Sequence, residues 1–236
     1  MDRVFRDRTE AGRALAEQLA PYAGRSDVLV LALPRGGVPV AYEVARTLDV
    51  PLDVFLVRKL GLPGQTELAM GAIASGGVRV LNEDVVWDLD IPAAVIDRVA
   101  HQEQEELERR ERAYRDGRAA PEVHGRIVIL VDDGLATGAT MRAAVVALRQ
   151  QRPARIVVAV PTAATDVCAG IRAEVDEAVC LITPEPFYGV GRWYEDFSPT
   201  SDAEVRALLQ RAGQERSERE HEPSPKRLVP AGPIAE

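Results

Sequence analysis

Residues 128–140 read VILVDDGLATGAT. An apolar run ends in two carboxylates, Asp132 and Asp133, and is followed by a loop of small residues and a helix start. Glycine at 134 and 138 and alanine at 136 and 139 let backbone approach a ligand closely. The amides and hydroxyls of Thr137, Gly138, Ala139 and Thr140 fall at a helix amino terminus. Unsatisfied N–H groups and the macrodipole favour a phosphate there. Asp132 and Asp133 would be acceptors beside that phosphate, suited to a sugar's vicinal diol directly or through a metal ion. A phosphate with a diol next to it describes a ribose 5-phosphate site. A strand ending in Asp-Asp also occurs in nucleotide triphosphatases, but those need G-x-x-x-x-G-K-[ST], which this chain lacks. Gly189-Val190-Gly191 lacks the third glycine and the helix of a dinucleotide fingerprint.

Three further stretches carry candidate chemistry. Pro34-Arg35-Gly36-Gly37 breaks an apolar run and precedes a helix, as a tight turn would. Arg58-Lys59 ends a second apolar run, where ligands of parallel sheets bind. Lys59 and Lys226 are the only lysines in an arginine-dominated chain, and a compact ammonium suits a phosphate. Residues 61–77, GLPGQTELAMGAIASGG, are glycine-rich with Glu67 as their one acid. Five of the chain's aromatic residues crowd into positions 187–197: Phe187, Tyr188, Trp193, Tyr194 and Phe197.

These residues need a scaffold. The pattern predicts a helix after Thr9 as cap, strands at 28–33 and 52–57, and a helix over 39–48. It continues with a possible hairpin around Ala72 and 78–81, and a charged helix from Pro92 to about 114. A strand at 127–131, a helix at 141–151, a strand at 155–160, a helix at 163–174 and a strand at 178–182 follow. A last helix spans 202–209. Strands alternating with helices predict an α/β fold, a parallel sheet covered by helices on both faces. The charged helix 92–114 reads as a solvated face or as a contact between two copies, and a homodimer is the expectation. The polar, proline-bearing residues 213–236 read as a disordered tail.

Composition bounds the partners. The chain has 236 residues, 46% hydrophobic and 28% charged, which suits a globular α/β protein. Its formal net charge of −8 repels phosphate backbones at long range, so no nucleic-acid partner is expected. No segment approaches the roughly eighteen apolar residues that a spanning helix needs, so no membrane partner is expected either. The charged first ten residues do not read as a secretory signal. Cys168 and Cys180 are too few and too separated for a disulfide framework or a CxxC site, and read as buried thiols in a reducing cytoplasm.

The segment VILVDDGLATGAT closely resembles the phosphoribosyl diphosphate (PRPP) signature of type I phosphoribosyltransferases, and the chain as a whole is similar to a bacterial group of predicted phosphoribosyltransferases. The resemblance covers about residues 28–196. It implies one domain over 1–212, with core 28–160 and hood 178–212. It places Asp132 and Asp133 at the ribose hydroxyls, with Gly134, Ala136 and Thr137 to Thr140 around the 5-phosphate. Arg35, Gly36 and Gly37 fall on the diphosphate loop, which in this family often contains a non-proline cis peptide. Arg58 and Lys59 would offset the charge of departing diphosphate, and residues 61–77 would close over the donor. ITPEPFYGVGRWYEDF resembles the hood of hypoxanthine–guanine enzymes. That likeness puts Phe187, with Trp193, at the acceptor, and brings Glu195 or Asp196 towards Mg2+ together with Asp132 and Asp133.

The likeness has departures. Ala136 stands where hypoxanthine–guanine enzymes carry a third acid, and residues 162–186 contain no lysine to read a purine. The loop GLATGAT looks more like adenine-type and orotate-type relatives, so the acceptor stays open. The implied activity is Mg2+-dependent transfer of phosphoribosyl from PRPP to a nitrogenous small molecule. A PRPP- or nucleotide-binding regulator without turnover and a PRPP hydrolase using water are the alternatives.

Overall fold

The computed structural model describes residues 4–63 and 65–221, with the side chains of residues 65–68, 220 and 221 outside that description. Five parallel strands form the main sheet: β1 (Val28–Ala32), β2 (Leu52–Val54), β6 (Ile127–Val131), β7 (Arg155–Thr162) and β8 (Glu177–Ile182). Their order is β2-β1-β6-β7-β8. Every residue of β1 and β6 is buried, as expected for strands covered on both faces. The period of two divides them cleanly. Val28, Val30, Ile129 and Val131 join a core with Leu15, Val38 and Val205. Leu29, Leu31, Val128 and Leu130 join another with Met141, Val145 and Ile171. The helices on the first face are α1 (Arg8–Gln18), α2 (Gly37–Leu48) and α7 (Asp202–His221), and those on the second are α5 (Ala139–Gln150) and α6 (Thr165–Glu174). The fold class is the one expected. Sheet order reverses between β1 and β6, and the carboxyl ends of strands at such a reversal form a ligand crevice.

A second sheet holds β3 (Val57–Leu62), β4 (Gln65–Ala74) and β5 (Val78–Leu81), antiparallel in that order. Arg58 and Lys59 therefore do not end β2. They lie in β3, with Lys59 opposite Ala72, because the chain leaves the parallel sheet after Val54 and the apolar run 52–57 is shared between two strands. The short helix α3 (Glu83–Asp88) and the long α4 (Ala93–Arg115) follow. Leu107 and Tyr114 bury the inner seam of α4.

Three expectations change in detail. Asp7, not Thr9, caps α1, its carboxylate accepting from the Glu10 amide at 2.8 Å. Residues 213–221 are not tail but the second half of α7. Tyr42 donates to Glu215 at 2.8 Å, Arg211 pairs with Glu215 at 2.8 Å, and Arg219 pairs with Asp49 at 3.0 Å. Tertiary partners thus supply what the polar sequence does not advertise. The rest of the expected tail, residues 222–236, lies outside the described residues. Cys168 and Cys180 are joined in a disulfide rather than held as free thiols. The crossover through α6 lays Cys168 back over β8 and brings the two Cα atoms to 6.6 Å.

Candidate active site

The loop after β1 meets the loop after β6 at the sheet's reversal point. The Leu33 amide donates to the Val131 carbonyl at 2.9 Å, carrying the β1–β6 pairing one residue past β1. The peptide between Pro34 and Arg35 is cis, the feature the family resemblance led us to expect in this loop. Gly36 and Gly37 then run hard against the acids. A Cβ on Gly36 would lie 2.0 Å from Asp133 Oδ2, and one on Gly37 would lie 2.9 Å from the Asp132 Cα and 3.1 Å from Asp132 Oδ1. A larger residue at 36 would move the Asp133 carboxylate, and one at 37 would press on the backbone at Val131 and Asp132.

The acids themselves are half-buried side by side. Asp132 Oδ1 accepts from the Asp133 amide at 2.8 Å. Burial, and then the neighbouring Asp133 charge, push the Asp132 carboxyl well above its usual range. Burial also raises Asp133, but the Arg8 guanidinium beside it opposes that rise. Arg8 Nε and Nη2 reach Asp133 Oδ2 at 2.9 and 2.8 Å. Tyr194 donates to the Asp133 carbonyl at 2.6 Å, and burial holds its phenol far above the ordinary value.

Past the acids the chain is pinned and then opened. The Leu135 amide donates to the Thr162 carbonyl at 2.9 Å, and the Ala164 amide donates to the Leu135 carbonyl at 3.1 Å. Gly134 packs where a Cβ would meet Val190 at 2.5 Å. Gly138 caps α5 at φ +71°, a conformation that L side chains rarely adopt. Arg142 Nη1 holds the Thr137 carbonyl at 2.9 Å. Ala136, Thr137, Ala139 and Thr140 are exposed, so the start of α5 is open to an anion.

The sequence-predicted residues divide. Asp132, Asp133, Gly36, Gly37 and residues 134–140 converge. Arg35 belongs to the loop, but its guanidinium lies half-exposed, 3.8 Å from Asp202 at the start of α7. Arg58 forms an ion pair with Glu103 of α4, and Lys59 is exposed on β3. The Glu67 side chain lies outside the described residues. Phe187 and Trp193 are half-buried in the hood, and the Trp193 indole nitrogen is buried without a hydrogen-bond acceptor among the described residues. Asp196 accepts from the Ser198 amide and hydroxyl at 2.9 and 2.6 Å, bonds that hold its carboxyl below the usual range. Among the described residues no three acids, histidines or cysteines gather into a cation site, so Asp196 is not assembled with the acidic pair. Two adjacent carboxylates open to a phosphate loop still suit Mg2+, which takes one or two carboxylates and completes its shell with substrate oxygens and water.

Sequence reasoning missed Arg8 and the anchoring role of Tyr194. The only local signal for Arg8 is weak: an arginine opening a helix is mildly opposed by the macrodipole.

Comparison with known proteins gives a family and a fold. The sequence matches the phosphoribosyl transferase domain family over residues 6–70 and 63–182. It is 50% identical over 210 residues to proteins of Mycobacterium tuberculosis strains H37Rv and CDC 1551, provisionally named phosphoribosyl transferases. The match covers 89% of this chain but 47% of theirs, so the chain spans about half the length of these curated relatives. The crystal structure of TT1426 from Thermus thermophilus superposes with a TM-score of 0.78 at 44% identity, covering 88% of this chain and 98% of that one.

Proposed function

The chain belongs to the phosphoribosyl transferase domain family, and from that membership we propose that it transfers the phosphoribosyl group of PRPP to a nitrogenous small molecule and releases diphosphate. The observation that carries the reading is the convergence of the acidic pair, the Gly36–Gly37 turn and the open α5 amino terminus at one end of β1 and β6. The α5 start holds the 5-phosphate, Asp132 and Asp133 hold the ribose hydroxyls, and the amides of Arg35 and Gly36 face the diphosphate, the Gly37 amide being taken by the Leu33 carbonyl at 3.1 Å. Bound Mg2+ supplies charge neutralisation on the donor, with Asp132 and Asp133 as its protein-side oxygens.

As the bond from C1′ to diphosphate lengthens, the sugar takes on oxocarbenium character and the leaving group gains negative charge. A cation aimed at that charge strengthens in the transition state. Arg58 is engaged by Glu103, which leaves to Lys59 the role the two were expected to share. Lys59, exposed on β3, meets the leaving group when the adjoining residues 61–77 close over the donor, a closure that also excludes water. Phe187 and the hood face the acceptor, whose ring stacks on Phe187.

A second reading, hydrolysis with water as acceptor, is favoured by Ala136, which puts a methyl group where a base on the acceptor would stand. The test is to incubate the protein with Mg2+, PRPP and a panel of nucleobases and to follow diphosphate. Release that depends on one base supports transfer. Release without any base supports hydrolysis. Binding without release overturns both nucleobase transfer and hydrolysis and favours a PRPP sensor.

A further inference from the structure

Arg8 is the first residue of α1, yet its side chain is only 11% exposed. Its guanidinium is satisfied on three sides. Nε and Nη2 converge on a single oxygen, Asp133 Oδ2, at 2.9 and 2.8 Å. Nη1 donates to the Ser198 carbonyl at 2.8 Å. The Cζ atom lies 4.0 Å from the centre of the Phe197 ring, within the range of a cation–π contact. Three separate parts of the chain meet there: the start of α1, the end of β6 and the hood.

The hood is itself built onto the amino-terminal segment. Phe5 and Tyr194 pair as a parallel bridge, the Glu195 amide donates to the Phe5 carbonyl at 2.8 Å, and the Asp196 amide donates to the Arg6 carbonyl at 2.9 Å. Asp133 Oδ2 is thus enclosed between the Arg8 fork and the Gly36 backbone, where a Cβ would come within 2.0 Å of it. Oδ1 is the oxygen that Arg8 does not take.

We propose that Arg8 is a positioning residue for the donor site: it fixes the Asp133 carboxylate with Oδ2 turned away and Oδ1 presented to the ligand, and it makes that orientation depend on the docked hood. The inference rests on the PRPP reading of the site. An acid next to a flexible substrate would otherwise sample several rotamers, and the ligand would have to select one of them. Arg8 removes that choice in advance. The planar fork matters, because a lysine carries the charge but cannot address Asp133 and Ser198 while lying flat on Phe197.

The test is a double-mutant cycle on Mg2+–PRPP affinity, by titration calorimetry, with wild type, Arg8→Gln, Asp133→Asn and the two combined. Arg8→Gln should weaken binding by about tenfold, as expected for loss of a charge-assisted hydrogen bond. The combined variant should bind no more weakly than Asp133→Asn alone, because Arg8 acts only through that carboxylate. Arg8→Lys should recover part of the loss, and it serves as the second variant if Arg8→Gln does not fold. Additive effects in the cycle, or unchanged affinity in a folded Arg8→Gln, would overturn the role of Arg8 while leaving the PRPP reading intact. A wild type that fails to bind Mg2+–PRPP would instead overturn that reading, and this inference with it.

Discussion

At Gly36 the chain has no room for a methyl group. A Cβ there would overlap Asp133 Oδ2 at 2.0 Å and its Cγ at 2.7 Å, and neither the Arg8 fork behind nor the β6 backbone below can yield freely. Gly36→Ala should therefore keep the fold but turn the acid, lowering Mg2+–PRPP affinity by roughly tenfold, a little over 1 kcal/mol. Titration calorimetry checks this, and an unchanged affinity would mean that the acid's orientation is not what the ligand reads. At this scale the sequence was informative wherever chemistry is local. Asp132, Asp133, Gly138 and Thr140 lie within one continuous segment, so strand end, loop and helix start could be read together. Arg8 lies 125 residues from Asp133, and the spacing of neither residue announces the other. The ion pair of Arg58 is hidden for the same reason, since its partner Glu103 comes from a helix 45 residues on.

The elements repeat this contrast. β1 and β6 are short, wholly apolar and bounded by turn residues, and they appear within a residue of their expected limits. α7 does not, because its second half has no apolar stripe and depends on particular polar partners. Tyr42 donates to Glu215, and the Arg211 guanidinium lies 5.5 Å from the Tyr42 ring centre. Arg219 reaches Asp49, the left-handed residue that ends α2. Ending the chain after residue 212 should remove the Glu215 and Arg219 contacts and lower stability by about 1–2 kcal/mol, mostly through the lost Tyr42–Glu215 hydrogen bond. Differential scanning calorimetry would register this as a fall of roughly 2–8 °C in Tm for a chain of this size. An unchanged Tm would mean that residues 213–221 contribute nothing to the body. The three-stranded sheet was only half legible: glycine and alanine dominate β4, and strand propensity is a weak guide where side chains are small.

For the whole molecule, two phenols tie distant parts together. Tyr22 donates to Glu177 at 2.5 Å, joining the turn after α1 to β8, and Tyr114 donates to Asp202 at 2.7 Å, joining α4 to α7. Burial first, and then these hydrogen bonds, push both phenols up to about 12 from an ordinary 10. A group whose pKa rises on folding stabilises the fold fully below its unfolded value and loses that contribution as pH climbs through the folded one. Resistance to denaturant should therefore hold up to about pH 10 and fall between pH 10 and 12. Tyr22→Phe combined with Tyr114→Phe should flatten that fall, as seen in urea midpoints across the range. An equally steep fall in the double variant would assign the alkaline sensitivity elsewhere. The parallel sheet covered on both faces followed from alternating strands and helices, whereas its order and reversal point depend on which strands pair across the crossovers. The disulfide did not follow, because only the α6 crossover brings Cys168 over Cys180. Among the described residues no helix is long and apolar enough to cross a membrane.

The acidic pair at the end of β6 is the place where, on this reading, the donor sugar is held. The direct measurement is calorimetric titration of Mg2+–PRPP into the wild type and into Asp132→Asn combined with Asp133→Asn, with circular dichroism to establish that both are folded. Binding to the wild type and none detectable to the variant is the expected result. Equal affinity in a folded variant would contradict it.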